Sequence, residues 1–366
     1  MPIPADDRRA RILDTVRALG TVRVVDLAER LGLPAVTVRR DVAALADAGR
    51  LRRTHGSVSF GGPAPDGPAS GAPGSVSAPA PAPDRPAEAV TLGLLVPAVV
   101  QYFDEVITGA RTAAAGAGVH LVLGISSYEA SADRVQVDQL LASGVQGLLL
   151  APNWSAADRP EDHAWVAGLP VPAVLLERRP APGSPAAALD AVGSDHRHGV
   201  LLALRHLAGL GHRRVALAAR TDTWTAHQVR QGYAEACRTL DLPAEPVIDV
   251  LTPAAGVDEV AARLAGAVAG GLGAALVHND QDALQLLPLL RARGVRVPGD
   301  LALVSYDDVF AALGAPPLTA VAPPKRAVGA AAVDLLVRRL GAGGSALPVH
   351  HLELLPDLTV RESSGG

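Results

Sequence analysis

Cysteine is nearly absent from these 366 residues: Cys237 stands alone. One thiol excludes an intramolecular disulfide framework and a cysteine-based structural zinc site. Aromatic residues are scarce as well, at 3%, although hydrophobic residues make up 49% of the chain, so Ala, Val and Leu have to build the core. Long apolar runs are missing too. No stretch approaches the roughly 18 uninterrupted apolar residues of a membrane span, and the start, "MPIPADDRRARIL", has no basic region leading into an apolar run. No secretory signal is expected, and the chain is expected to be soluble and cytoplasmic. Lysine, finally, does not occur in residues 1–60. That segment holds 11 Arg against 7 Asp and Glu, a net +4, whereas the remainder carries −8. A basic head on an acidic body points to a polyanion met by the head alone.

At this length two or three folding units are expected. The clearest boundary is "GGPAPDGPASGAPGSVSAPAPAPDRPAE", residues 61–88, where 23 of 28 residues are Pro, Gly, Ala or Ser. Such a composition builds no core and reads as a flexible linker spanning roughly 30 Å. The expected division is therefore a head at 1–60, the linker at 61–88 and a body at 89–366.

In the head, Ile12, Leu13, Val16 and Leu19 recur at helical spacing and stop at Gly20. Asp26 to Leu31 form a second short helix, and Val38, Val42 and Leu45 mark a third. "RLRRTHGSVSF" then alternates as a small β-hairpin. Helix, helix, sharp turn, helix and hairpin is the order of a winged helix-turn-helix. With Val38 at zero on a helical wheel, Val42 and Leu45 fall within about 40° of it. Arg39 lands near about 100° and Arg40 near about 200°, on the outer half, whereas Asp41, near about 300°, borders the core stripe. The two arginines are thus placed as DNA readers and Asp41 as a partner within the head. Arg52 and Arg53 on the hairpin would reach adjacent phosphates. The plainer reading is that these charges only solubilise a small helical bundle.

The body has a different rhythm. Short apolar strands ("VTLGLLVPA", "VQGLLLAP", "PVPAVLLE", "GAALVHND", "LALVSYDD") alternate with helices such as "HGVLLALRHLAGLG" and "DALQLLPLLRARG". That alternation is the pattern of an α/β fold with doubly wound parallel sheets. The length calls for two lobes. Ligands in such folds sit beyond the carboxyl ends of strands, here in the cleft between lobes.

The run from Arg8 to about residue 60 resembles the N-terminal domain of the DeoR family of bacterial transcription regulators, most specifically in "TVRRDVAAL", "LGLPAVT" and "LRRTHG". That resemblance makes Thr37, Arg39 and Arg40 DNA contacts, supported by Arg52, Arg53 and His55. The body resembles the effector domain of the LacI/GalR family, itself similar to periplasmic sugar-binding proteins, from about Thr91 to Arg361. The match runs through "GVQGLLLAP", "HLAGLGHRRVALAA", "VHNDQDAL", "GVRVPGDLALVSYDD" and "LTVRES". Two departures stand out. The headpiece and hinge helix of that family are replaced by the winged head and the Pro-rich linker. The arginine expected three residues before the glycine of "RQGY" is absent: Val229 occupies that place, with Arg230 one later.

By this resemblance the effector ligands are Tyr102 and Phe103 after the first strand, Glu177 after "AVLL", and Asn279 and Asp307 at later strand ends. Trp224 is the candidate stacking plate and Arg230 the candidate substitute for the displaced arginine. A sugar needs such groups: carboxylates and amides for its hydroxyls, an aromatic plate for its apolar face. The plainer reading has Asp280 and Asp308 capping helices while Asn279 and Asp307 serve only local turns. "HRH" at 196–198 and "HH" at 350–351 have metal-like spacing without further ligands nearby, and the former reads as a solvated turn. No G-x-S-x-G elbow, P-loop or G-x-G-x-x-G follows a strand, so neither an enzyme nor a cofactor or metal is expected.

What the resemblance implies is a sequence-specific regulator that binds double-stranded operator DNA as a homodimer. It would repress carbohydrate uptake or catabolism genes under control of a sugar-like effector. Activation, or a nucleoside or polyol effector, is the alternative; a sugar-binding transport component is a more distant one.

Overall fold

The computed structural model describes residues 90–97, 101–127, 130–155, 159–250, 255–342 and 347–365. Ahead of these it describes 8, 9, 11–13, 15, 16, 21–23, 27, 37, 38, 40–42, 45, 51–54 and 57–60. The linker expected at 61–88 lies outside the described residues. The chain divides into two compact units, Met1–Pro83 and Asp84–Gly366.

In the first unit Ile12, Leu13, Val16, Leu27, Val38, Val42 and Leu45 are helical and buried, which is the stripe that the spacing predicts. β2 (Leu51–Thr54) and β3 (Ser57–Phe60) pair antiparallel as the expected hairpin. β1 (Thr21–Arg23) adds to the free edge of β3, pairing Thr21 with Ser59. Three residues are too few to carry a periodicity signal, and the sequence gives no warning of this strand. Asp41 is buried and receives Arg8 through Nε and Nη2, the latter at 3.2 Å, and Arg9 Nε at 3.4 Å. The Arg8 hydrogen bond, more than any other cause, holds the Asp41 carboxyl below the usual carboxylate range. Asp41 thereby ties the third helical segment to the first. Arg40, next to it, is exposed.

The second unit contains two six-stranded sheets. The first has the order β14 (His351–Leu354), β8 (Asp190–Ser194), β7 (Ala173–Leu176), β6 (Gly147–Leu150), β4 (Thr91–Pro97), β5 (His120–Ser126), all parallel. The second runs β10 (Ile248–Val250), β9 (Val215–Arg220), β11 (Ala274–His278), β12 (Ala302–Tyr306), β13 (Thr319–Ala322), β15 (Asp357–Thr359), with only β15 antiparallel. Central strands such as β6, β7 and β11 are buried along their whole length, which is why they read as unbroken apolar runs. Helices α1 (Tyr102–Gly116) and α2 (Ala130–Ala142) follow strands of the first sheet. Helices α3 (His196–Gly209), α4 (Trp224–Thr239), α5 (Ala255–Ala269) and α6 (Asp280–Ala292) belong to the second, and α7 (Lys325–Gly341) returns to the first.

Among the described residues the chain changes lobe three times: between β8 and α3, between β13 and α7, and between β14 and β15. After the second change, α7 packs closely on α1. A Cβ on Gly329 would lie 2.0 Å from the carbonyl oxygen of Val106, and one on Gly109 the same distance from that of Arg326. The two backbones touch, so no side chain fits between them.

Gly329→Val is expected to destabilise the protein by about 1–3 kcal/mol or more, because overpacking cannot be relieved against backbone. Gly341→Ala, at a position with nothing within 4 Å of a Cβ, is the control. Urea unfolding midpoints of the two variants measure the difference; equal midpoints would refute the close crossing.

Candidate functional site

Each parallel sheet presents its strand ends to the same cleft. β4 ends at Pro97, β7 leads into Glu177 and Arg178, β9 ends at Arg220, β11 leads from His278 into Asn279, and β12 into Asp307; all these residues line one cavity. The side chains of a parallel strand's last residues have no further strand to pack on, so they are free to serve a ligand.

The cavity collects aromatic rings in a chain that has few. Of its 3 Phe, 3 Trp and 4 Tyr, Tyr102, Phe103, Trp154, Trp224 and Phe310 line this one space. Trp154, beyond β6, and Trp224, at the start of α4, come from opposite lobes and meet edge to face at 6.0 Å. Trp154 is held flat by His163, stacked at 3.9 Å.

Among the described residues, the buried side-chain polar atoms without a hydrogen-bond partner are Asn153 Oδ1, Trp154 Nε1, Ser184 Oγ, Trp224 Nε1, His278 Nδ1 and Asp307 Oδ1. All but Ser184 belong to cavity residues. Each such orphan costs roughly 1–3 kcal/mol, so their convergence in one cleft marks a place for a polar molecule. Burial, with the repulsion of His196 second, lowers the His278 pKa to about 3, so its ring is neutral. Burial also pushes Asp307 up to about 7; Asp280 adds to the shift while His196 and Lys325 oppose it. Asp307 adopts φ 90° and Glu177 φ 51°, left-handed backbone that only surrounding structure can hold in non-glycine residues.

Of the expected effector residues, Tyr102, Phe103, Glu177, Trp224, Asn279 and Asp307 come together around the cleft. Two of them have their polar groups already engaged. Glu177 accepts from Tyr102 Oη (2.7 Å), Ser194 Oγ (2.9 Å) and Ser194 N (3.0 Å), and lies 3.5 Å from His196 Nε2. Burial opposes its ionisation, yet His196 and these hydrogen bonds hold its pKa below the usual range. Its carboxylate therefore organises the wall rather than offering itself to a hydroxyl. Asn279 caps α6, with Oδ1 accepting from Asp282 N at 3.3 Å, which leaves its amide NH2 as the group it can give. The capping task thus falls to Asn279 itself and not to Asp280, whose carboxylate accepts from Val309 N and Phe310 N at 2.6 Å each. Asp308 instead binds Arg361 and Thr359.

Arg230 does not line the cleft. It donates to the carbonyls of Ala219 (2.5 Å) and Arg220 (2.9 Å) and pairs with Asp249 (2.7 Å). Val229 is buried in the core beneath it. The expected solvated turn at 196–198 is also corrected: His196 is buried between Glu177 and Tyr306, with Nδ1 3.2 Å from the phenol oxygen. Sequence reasoning missed Asn153, Trp154, Arg178, Arg220, His278 and Phe310. The signal for Trp154 was available, since it follows "LLLAPN" directly and is one of three tryptophans.

Of the residues expected to contact DNA, Arg40 is exposed and Thr37 half-buried. Arg39 and His55 lie outside the described residues; Arg52 and Arg53 fall on β2, without described side chains. No helix among the described residues is long and apolar enough to cross a membrane.

Residues 8–61 match the DeoR-like helix-turn-helix domain and residues 204–364 the periplasmic binding protein-like domain. A helix-turn-helix transcriptional regulator from the aml 5′ region of Streptomyces limosus is 31% identical over 290 residues, 75% of this chain and 78% of that one. The chain belongs to the LacI family of transcriptional regulators. The arabinose metabolism transcriptional repressor of Geobacillus stearothermophilus is 26% identical, over 75% of this chain and 76% of that one. A solved LacI-family regulator from Sanguibacter keddieii superposes with a TM-score of 0.61 at 29% identity, covering 75% of this chain and 98% of that one. This LacI-family chain thus joins a DeoR-like head to its effector body.

Asp307 supplies a test by pH. Its folded pKa, about 7, lies above the ordinary 3.8, so the folded state keeps the proton longer than the unfolded state. The stability that this gives is present below about pH 4 and lost as pH rises towards 7. Asp307→Asn is therefore expected to gain in melting temperature relative to the parent between pH 5 and pH 8. A constant difference would show that Asp307 is ionised throughout.

Proposed function

We propose that this LacI-family regulator represses carbohydrate uptake or catabolism genes and responds to an uncharged polyhydroxylated effector bound in the cleft. The observation that carries the reading is the convergence of five unpartnered polar atoms and five aromatic rings on one cavity. Donors (two indole N–H groups), acceptors (Asn153 Oδ1, Asp307) and apolar plates in one space match the alternating hydroxyls and apolar face of a sugar. The arabinose repressor among the relatives supports the class of gene. The reading is of a binding protein rather than an enzyme, and the transcriptional regulators among the relatives support it.

DNA is contacted by Thr37, Arg39 and Arg40, with Arg52, Arg53 and His55 beside them, in a homodimer whose two heads occupy paired half-sites. Effector contacts fall to Tyr102, Phe103, Trp224, Asn279 and Asp307. The protein acts in the cytoplasm.

The direct test is a mobility shift on the protein's own promoter region at low salt; failure to bind would end the regulator reading. Arg40→Ala is expected to lose about 1–3 kcal/mol of specific operator binding, as for a bidentate guanine contact. Equal weakening on all sequences would make Arg40 a phosphate contact. Asp307→Ala is expected to keep operator affinity and lose release by effector; normal release would remove Asp307 from the site.

A further inference from the structure

Among the described residues, Arg178 and Arg220 are the arginines that line the cleft, one from each lobe. They are held differently. Arg178 is buried and donates to the carbonyls of Pro152 and Glu177, so it closes loops behind the wall. Arg220 stands at the last position of β9 with its side chain 20% exposed. Its Nε and Nη2 donate to the two oxygens of Asp282 at 2.7 and 3.0 Å, so one edge of the guanidinium is fixed in plane. Asp282 sits in the first turn of α6, the turn that Asn279 caps. Beneath, Arg230 ties the carbonyls of residues 219 and 220 to Asp249 on the edge strand β10.

Asp282 thus orients the Arg220 side chain at the cavity wall, while Arg230 and Asp249 hold the strand end that carries it. A partly buried ion pair gives little net stability, because desolvation offsets the attraction. The bracing makes sense as preorganisation of a donor for a ligand. We infer that Arg220 is the specificity-determining residue of the cleft, donating to adjacent hydroxyl oxygens of an uncharged sugar, and that Arg230 is its positioning residue. This rests on the reading of the cleft as an effector site. The guanidinium has only donors to offer, so it selects acceptors. Asp282 neutralises its charge, so the pair is set to favour hydroxyl oxygens over a phosphate or carboxylate. Arg220 thereby supplies a cation from the strand, where Val229 on α4 supplies none.

The test is calorimetric titration of the full chain with cellobiose, L-arabinose, D-ribose and adenosine, and then with the monodeoxy derivatives of the tightest binder. If none of the four binds, the effector-site reading falls and this inference with it. Given a binder, the double variant Arg220→Gln/Asp282→Asn keeps a neutral hydrogen-bonded pair and avoids stranding a buried carboxylate. It is expected to bind about 10- to 100-fold more weakly, the range for one or two hydrogen bonds to a charged donor. That loss should shrink only for the deoxy derivatives lacking a contacted hydroxyl. Arg230→Gln is expected to weaken binding less, and to add nothing in the background of the double variant. Binding within twofold of the parent, or a loss equal across all deoxy derivatives, would each overturn the assignment while leaving the effector site in place. Thermal unfolding of each variant verifies the fold.

Discussion

The carboxylate of Glu177 is the point on which the body depends. It is buried, and groups from α1, β8 and the first residue of α3 close on it: Tyr102, Ser194 and His196. Those elements lie on both sides of the first lobe crossing, and His196 in turn reaches Tyr306 in the second sheet. A single charged group thus fixes the junction at which two separate sheets turn their strand ends to one space. Net stability from such a buried cluster is modest, since desolvation opposes it; what it gives is a defined geometry. At the second crossing Lys325, the chain's one lysine, does a related job. Its Nζ donates to the Asp307 carbonyl and lies 5.5 Å from the Tyr102 ring centre.

The head uses the same device on a smaller scale. Asp41, buried and met by Arg8 and Arg9, anchors the third helical segment from below. Its neighbour Arg40 stays exposed. In "RRD" one charge is structural and the adjacent one faces outward, which is what a spacing of 100° per residue requires.

Much of this was legible before any coordinates. Unbroken apolar runs in β6, β7 and β11, helical spacing in the head and the alternation of strands and helices gave both fold types. Strand-end positions brought Asn279 and Asp307 to the cleft. The short strands β1 and β15 were not legible, because three residues carry no period and their pairing partners are remote in sequence. Nor were the tasks of side chains already near the cleft: Glu177 and Asn279 line it, but their oxygens are engaged by Ser194, Tyr102 and Asp282.

Residues 220 and 230 show where the division falls. The sequence alone determined which elements form and which strand ends point to a cleft, because both follow from local periodicity and from burial of apolar faces. Only the tertiary structure decided that Arg220 joins the wall while Arg230 braces it from behind. That choice depends on where Asp282 and Asp249, 62 and 19 residues away, present their carboxylates, and a guanidinium goes to whichever partner lies within a few ångströms in the folded chain.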